Sequence, residues 1–426
     1  VITYDAGMIE FAKECFAEIK DLSFRIYDDP KNETRRERDP YQRDYGRILY
    51  SSSFRRLQGK MQLLGLDPSH FHRNRLTHSL EVAQTARSIA SSLEIPDPTV
   101  AETCSLAHDL GNPPFGHRGE QVLDEIAEGI GGFEGNAQTL RIISFLEKKS
   151  FSYRGLNLTY RTLLGVTKYF NKRGEEGKEK KKFIYNEDFD LLENIFIAKG
   201  LINRRTIDVQ IMDLADEIAY AAHDLEDSLA FGLLAIDELI YEFRISSKYG
   251  GAYDRLLEIV KECQNFAFGG STFGTSEEYS FLFRKELTSK IVHSLIADIH
   301  VSDKGSTKEL GFKDGGVLSE GLKKLLFKAV LRKRSVQNYE KVGEKVINGL
   351  FQVYYDNNFN KDGLLLPPEY RSAKDDNDRM RMVVDYIAGM MDSFAIQEYK
   401  KYFGEGSLNK LYPIDKFRDS ENGHHS

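Results

Sequence analysis

The chain has 426 residues, 41% of them hydrophobic and 12% aromatic, with a net charge of −7. That composition supports a packed core and excludes wholesale disorder, and the length suits two or three domains or one large one. Three cysteines, Cys15, Cys104 and Cys263, are too few and too scattered for a disulfide framework or a cysteine zinc site.

No apolar run reaches membrane-spanning length, and the opening Val-Ile-Thr-Tyr-Asp lacks a signal-peptide pattern. A cytoplasmic protein is therefore expected. Residues 35–60 and 172–182 are locally basic, which suits a solvated surface or contact with phosphate.

In chain order, residues 7–20 have apolar positions at helical spacing. Residues 25–45 are charged and carry Asp29-Pro30 and Asp39-Pro40, so this stretch reads mostly as loop. A helical segment is predicted over 45–64, then a loop to Arg73. Leu80, Ala83, Ala90 and Leu93 mark an amphipathic helix that begins near His78 and ends before Pro96. A further helix is predicted over 100–110.

That helix stops hard. Gly111 reads as a terminator, and Pro113 and Pro114 forbid continuation. Adjacent His108 and Asp109 therefore sit at a helix end before a stiff loop. Neighbouring helical residues point about 100° apart, so the pair can chelate one cation only from the edge between them. Imidazole and carboxylate together suit a divalent transition metal. The loop brings a second histidine, His117, with Glu120 three residues on.

Short helices are predicted over 117–126 and 136–149, with a glycine-rich turn between. Residues 151–190 show little periodicity and read as a long loop or insertion, with at most a minor β-hairpin near 151–158. The clearest periodicity follows over 209–229. Ile211, Leu214, Ile218, Ala222, Leu225 and Leu229 form one stripe, and Asp213, Asp216, Tyr220, His223, Asp224 and Asp227 fall opposite. Further helices are predicted over 236–246, 251–266, 277–300, 318–331, 336–355 and 378–403. The class is thus all-α. The histidines at 424 and 425 read as a disordered tail or tag remnant.

The order His78, His108-Asp109 and a distant aspartate is the signature of the HD metal-dependent phosphohydrolase superfamily. Within it, residues 53–62, 75–82, 108–120, 133–138 and 213–220 closely resemble the deoxyguanosine triphosphate triphosphohydrolases (dGTPases) and the broader deoxynucleoside triphosphate triphosphohydrolases. Residues 383–392 also look like that family's, whereas the lysine-rich 170–190 segment departs from it. The resemblance implies one all-α unit over 1–426, with an HD catalytic core over 45–235 and a helical C-terminal part over 236–426. It implies hydrolysis of dGTP, or of dNTPs generally, to deoxynucleoside and tripolyphosphate.

The resemblance also implies site roles. His78, His108, Asp109 and one helix aspartate would hold one divalent ion per subunit, Mn2+, Mg2+ or another first-row cation. Spacing alone leaves Asp213 and Asp216 open, since both lie on the polar face. The family's metal aspartate precedes a tyrosine by four residues and a second aspartate by eight, which selects Asp216 and leaves Asp213 as a supporting partner. His117, oriented by Glu120, would be the acid/base. Arg75, Asn112, Lys168 and Lys182 would meet the phosphates, with Asn136 and Tyr169 nearby. Gln62 and Asp224 would bind the 3′-hydroxyl, Tyr220 would exclude a ribose 2′-hydroxyl, and Leu63 would line the pocket.

Two other readings are carried. One is an HD hydrolase acting on a cyclic or signalling nucleotide. The other is a DNA-responsive regulatory protein, for which the basic stretch 323–334 could contact single-stranded DNA. A homo-oligomer, commonly a hexamer, is implied by the family alone.

Overall fold

A computed structural model describes residues 3–28, 39–62, 73–179, 181–270, 272–305 and 307–411. Leu63, His424 and His425 lie outside the described residues. Within them are seventeen α-helices and one two-stranded sheet, so the fold is all-α.

The first four helices are α1 (Ala6–Ala17), α2 (Pro40–Leu49), α3 (Ser52–Arg56) and α4 (Arg75–Ser92). The 39–45 stretch is helical rather than loop. Asp39 caps α2 by accepting from the Tyr41 and Gln42 amides, and Pro40 takes the first helical position, where its missing N–H costs nothing. Helix α4 starts at a capping box between Asn74 and Thr77. Next come α5 (Thr99–Ala107), α6 (Gly116–Ile126) and α7 (Gly135–Arg141), the last continuing into a π-helical turn, Ile142–Leu146.

The 151–190 segment is more ordered than its sequence suggests. It holds α8 (Tyr160–Val166), capped by Thr159, and the start of α9 (Asn186–Ala198). No hairpin forms at 151–158. There the Leu156 amide donates to the carbonyl of Ile143 at 2.8 Å, so the segment pairs with the π-helical turn instead of with itself. The long helix α10 (Ile207–Ala230) follows, then α11 (Ile236–Ile245), α12 (Tyr253–Gly270) and α13 (Ser276–Ala297). The hairpin lies further on, where β1 (Ile299–Lys304) pairs antiparallel with β2 (Thr307–Phe312).

The chain ends in α14 (Gly316–Leu331), α15 (Arg334–Tyr355), α16 (Asp376–Ala388) and α17 (Asp392–Phe403). The single helix predicted over 378–403 is thus two helices meeting at an elbow. The basic stretch 323–334 likewise spans the break between α14 and α15 rather than forming one helix.

Helix α10 is the central strut, packing against α4, α5, α8, α13 and α14. Its apolar stripe joins the larger core cluster, and a second cluster forms where α15, α16 and α17 meet Phe115, Val122 and Leu123. Buried ion pairs tie the layers. Arg161 on α8 grips Asp208 on α10 with two bonds of 2.9 Å, both side chains fully buried. Removing one partner of such a pair costs about 3–5 kcal/mol, because the other charge is stranded. Arg141 on α7 holds Asp385 on α16 in the same way.

Candidate active site

Three elements bring the HD residues together. His78 lies in the first turn of α4, His108 caps the C-terminus of α5 with Asp109 next to it, and Asp216 sits mid-way along α10. Ligand atoms of His78, His108 and Asp109 all lie within 4.8 Å of one another. Asp216 Oδ1 is not part of that set of three but borders it, 3.1 Å from His78 Nε2 and 3.4 Å from His108 Nε2. The polar face of α10 is therefore the wall of this site and not a solvated surface.

Local chemistry prepares these atoms for a cation. His108 Nδ1 lies 2.6 Å from the Ser105 carbonyl, which requires the proton on that nitrogen. Its Nε2 then faces the cluster, buried and without a hydrogen-bond partner among the described residues. Two buried carboxylates beside two imidazoles need a positive charge between them. Burial pushes the His108 imidazole down, yet Asp109 and Asp216 overcome this and lift it to about 9. Burial would likewise raise the Asp216 carboxyl, but His108 and His78 hold it well below its ordinary range. The donor set fits a divalent metal ion.

Arg75 and Asn112 converge on Asp109. Arg75 Nη1 donates to Oδ2 at 2.8 Å, and the Asn112 amide donates to Oδ1. Gly111 contributes by close packing rather than as a helix terminator. A Cβ there would stand 2.1 Å from the Gly135 carbonyl oxygen and 2.3 Å from the Thr139 nitrogen, so only glycine lets this turn lie against α7. Phe115 then takes the left-handed conformation, φ 63°, and starts α6, which carries His117 and Glu120.

His117 Nδ1 lies 3.4 Å from Glu120 Oε2, and its ring is 63% exposed. Glu120 Oε1 accepts from the Gly135 amide at 2.9 Å. Burial raises the Glu120 carboxyl, but His117 and that amide bring it below its usual range.

Glu134, which the sequence did not single out, gathers two of the phosphate candidates. Its Oε1 accepts from Asn136 Nδ2 and from Lys182 Nζ, each at 2.7 Å. Lys168 and Lys182 flank the Tyr169 ring, their Nζ atoms 5.9 and 5.8 Å from its centroid. Lys168 also pairs with Asp213, whose other oxygen meets Arg205 Nη1 at 2.7 Å. Asp213 is thus engaged by two cations. A neighbouring pocket of about 210 Å³ is lined by Lys168, Tyr169, Lys178, Lys182, Arg204 and Arg205 among others.

On the other side of the cluster, Tyr220 is packed between the His78 ring, 4.9 Å away, and Lys323 Nζ on α14, 4.8 Å from its ring centroid. Lys323, half-buried, thus faces the Tyr220 ring. Both polar atoms of the Gln62 amide and Asp224 Oδ1 are buried and find no hydrogen-bond partner among the described residues. Burial, reinforced by Asp227, lifts the Asp224 carboxyl to about 8.

The HD domain family model matches residues 75–221, and the phosphohydrolase-associated domain model matches 318–401. A deoxyguanosinetriphosphate triphosphohydrolase-like protein 2 of Vibrio cholerae is 55% identical over 411 residues, which is 96% of this chain and 99% of that protein. The chain belongs to the deoxyguanosinetriphosphate triphosphohydrolase-like family of HD phosphohydrolases. A family member from Rickettsia felis is 34% identical over 85% of this chain and 91% of its own length. Another, from Shewanella sp. strain ANA-3, is 31% identical over 89% and 95%.

The HD match begins at Arg75 and ends beside Tyr220, so it contains every member of the histidine–aspartate cluster. The associated-domain match covers most of α14, all of α15 and α16, and most of α17. Sequence reasoning missed Glu134, Arg205 and Lys323. Glu134 lies inside the 133–138 motif, and its position between Phe133 and Asn136 was the available signal. Arg205 and Lys323 reach the site only through tertiary packing. None of the described helices is long and apolar enough to cross a membrane.

Proposed function

We propose that this HD hydrolase is cytoplasmic and cleaves deoxynucleoside triphosphates, dGTP foremost, to deoxynucleoside and tripolyphosphate. His78, His108, Asp109 and Asp216 would hold one first-row divalent cation, Mn2+ or Mg2+. The observation that carries the reading is the buried His108 Nε2, which makes no hydrogen bond among the described residues yet stands 3.4 Å from a carboxylate oxygen of both Asp109 and Asp216, beside a second imidazole.

When bound, the cation offsets phosphate charge, polarises the α-phosphoryl oxygen and acidifies water. The protein's own part is positioning and electrostatics. Arg75 and Asn112 hold Asp109 in orientation, and their remaining donors are available to the phosphate at that edge. Lys168 and Lys182, flanking Tyr169, offer charge along the rest of the triphosphate, and Asn136 adds an amide. Lys182 and Asn136 exchange Glu134 for phosphate oxygens as substrate enters.

The 5′ alkoxide is a poor leaving group and needs a proton. His117 supplies it, and ionised Glu120 orients and stabilises the imidazolium that does so. Tyr220 packs against C2′ and leaves no room for a ribose hydroxyl. Gln62, and Asp224 through Oδ1, whose atoms find no hydrogen-bond partner among the described residues, bind the 3′-hydroxyl, Asp224 as the protonated acid near neutral pH.

The test is turnover of the four dNTPs and GTP with Mn2+, with and without chelator. Deoxynucleoside release from dGTP that stops on chelation, with little use of GTP, is the expected result. Preferred use of ribonucleotides would move the chain to another class of HD hydrolase.

A further inference from the structure

The elbow between α16 and α17 reaches the site through one buried carboxylate. Asp392, the first residue of α17, accepts from three donors on three separate segments. Its Oδ1 takes the Phe115 amide at 3.0 Å. Its Oδ2 takes the Met61 amide at 3.1 Å and the Tyr339 hydroxyl at 2.7 Å. One residue from Met61 is Gln62, and Phe115 links Asn112 to His117. Beside Asp392, Lys60 Nζ donates to the Ala388 carbonyl at the end of α16, at 2.8 Å, and also to the Asn112 carbonyl.

The approach is close. A Cβ on Gly59 would stand 2.4 Å from Met391 Sδ, so the turn before Lys60 lies directly on the elbow. The Phe115 backbone, left-handed without being glycine, is a conformation that its surroundings must hold. Its amide bond to Asp392 and its ring against Tyr339, with centroids 5.5 Å apart, supply that hold.

We propose that Asp392, with Lys60, is a positioning residue for two parts of the active site at once. It sets where Gln62 meets the sugar and where the loop carrying Asn112 and His117 stands. The four proposed metal ligands lie on α4, the end of α5 and α10, and the elbow reaches them only at one remove, where Asn112 bonds Asp109. The elbow thus acts first on substrate register, while the ligands are carried by the other helices. The functional consequence rests on the proposed role of Gln62 at the 3′-hydroxyl; the geometry of the elbow does not.

The test compares full-length wild type, Asp392→Ala, Gln62→Ala and the double variant on dGTP and on 2′,3′-dideoxyguanosine triphosphate. Wild type should prefer dGTP by well over ~100-fold in kcat/KM, since a site built to hydrogen-bond a hydroxyl rejects the analogue lacking it by up to ~10⁴–10⁵. Asp392→Ala should lose most of that preference, as Gln62→Ala does, and the double variant should lose no more. Bound metal should remain at wild-type stoichiometry. An equal fall on both substrates, with the preference intact, would overturn the proposal in favour of a purely structural role.

Amide exchange in Asp392→Asn, a milder change, gives a readout without substrate. Peptides containing Met61 and Phe115 should exchange faster while those of α10 do not. Unchanged exchange at both would overturn the proposal even if no nucleotide is hydrolysed. If wild type turns over neither nucleotide while exchange responds as expected, the substrate reading fails and the positioning by the elbow stands.

Discussion

His78 Nε2 lies 3.1 Å from Asp216 Oδ1 across 138 residues of sequence. The same oxygen is 3.4 Å from His108 Nε2. One turn earlier on α10, Asp213 points to Lys168 and Arg205 instead. Two aspartates on one helix face thus have different partners, and the difference bears on which of them holds a metal.

Asp216→Ala is expected to abolish metal binding and turnover together. Asp213→Ala should keep a full complement of metal and lose about 10–100-fold in activity, the usual scale for a supporting partner. Metal content by mass spectrometry, alongside kcat, distinguishes the two. Loss of metal from the Asp213 variant alone would reverse the assignment.

Metal uptake should release protons. His108 titrates at about 9 in the metal-free site, because Asp109 and Asp216 outweigh its burial. Below that pH the incoming cation displaces a proton from the imidazole, so affinity should rise about ten-fold per pH unit from 7 towards 9. Calorimetry in buffers of different ionisation heat should show about one proton released per ion at pH 7. A heat independent of buffer would contradict this.

Tyr220 is the expected guard against ribonucleotides. Tyr220→Ala should raise kcat/KM for GTP relative to dGTP by ~10-fold or more, since it removes the steric barrier at C2′. An unchanged ratio would place sugar selection elsewhere.

Asp224 gives a pH signature in the metal-free protein. Its carboxyl rises from 3.8 to about 8, through burial first and Asp227 second. The folded value exceeds the unfolded one, so the stability contribution of the neutral acid is complete below pH 3.8 and is lost as pH rises through 8. Asp224→Asn should flatten that decline, read as urea midpoints across the window. The same slope in both proteins would contradict the shift.

Much of the architecture was legible because it rests on local rules. The stripe on α10 and the prolines after His108 mark a helix and a stop by sterics and periodicity alone. The hairpin at 299–312 was not legible: the 277–300 stretch carries enough apolar positions at helical spacing to seem to continue through Ile299. The break at 389–391 has no proline to announce it, and the elbow is held by Asp392 and Lys60 through bonds to distant segments. The terminator reading of Gly111 failed for a similar reason. What demands glycine there is the backbone of α7, which the sequence alone does not bring near.

The central claim is that water attacks the α-phosphorus and the bond to the sugar 5′ oxygen breaks. Hydrolysis of dGTP in oxygen-18 water, with Mn2+ and both products analysed by mass spectrometry, tests it most directly. The expected result is one labelled oxygen in intact tripolyphosphate and none in deoxyguanosine. Label in deoxyguanosine, or products of pyrophosphate and deoxyguanosine monophosphate, would contradict it.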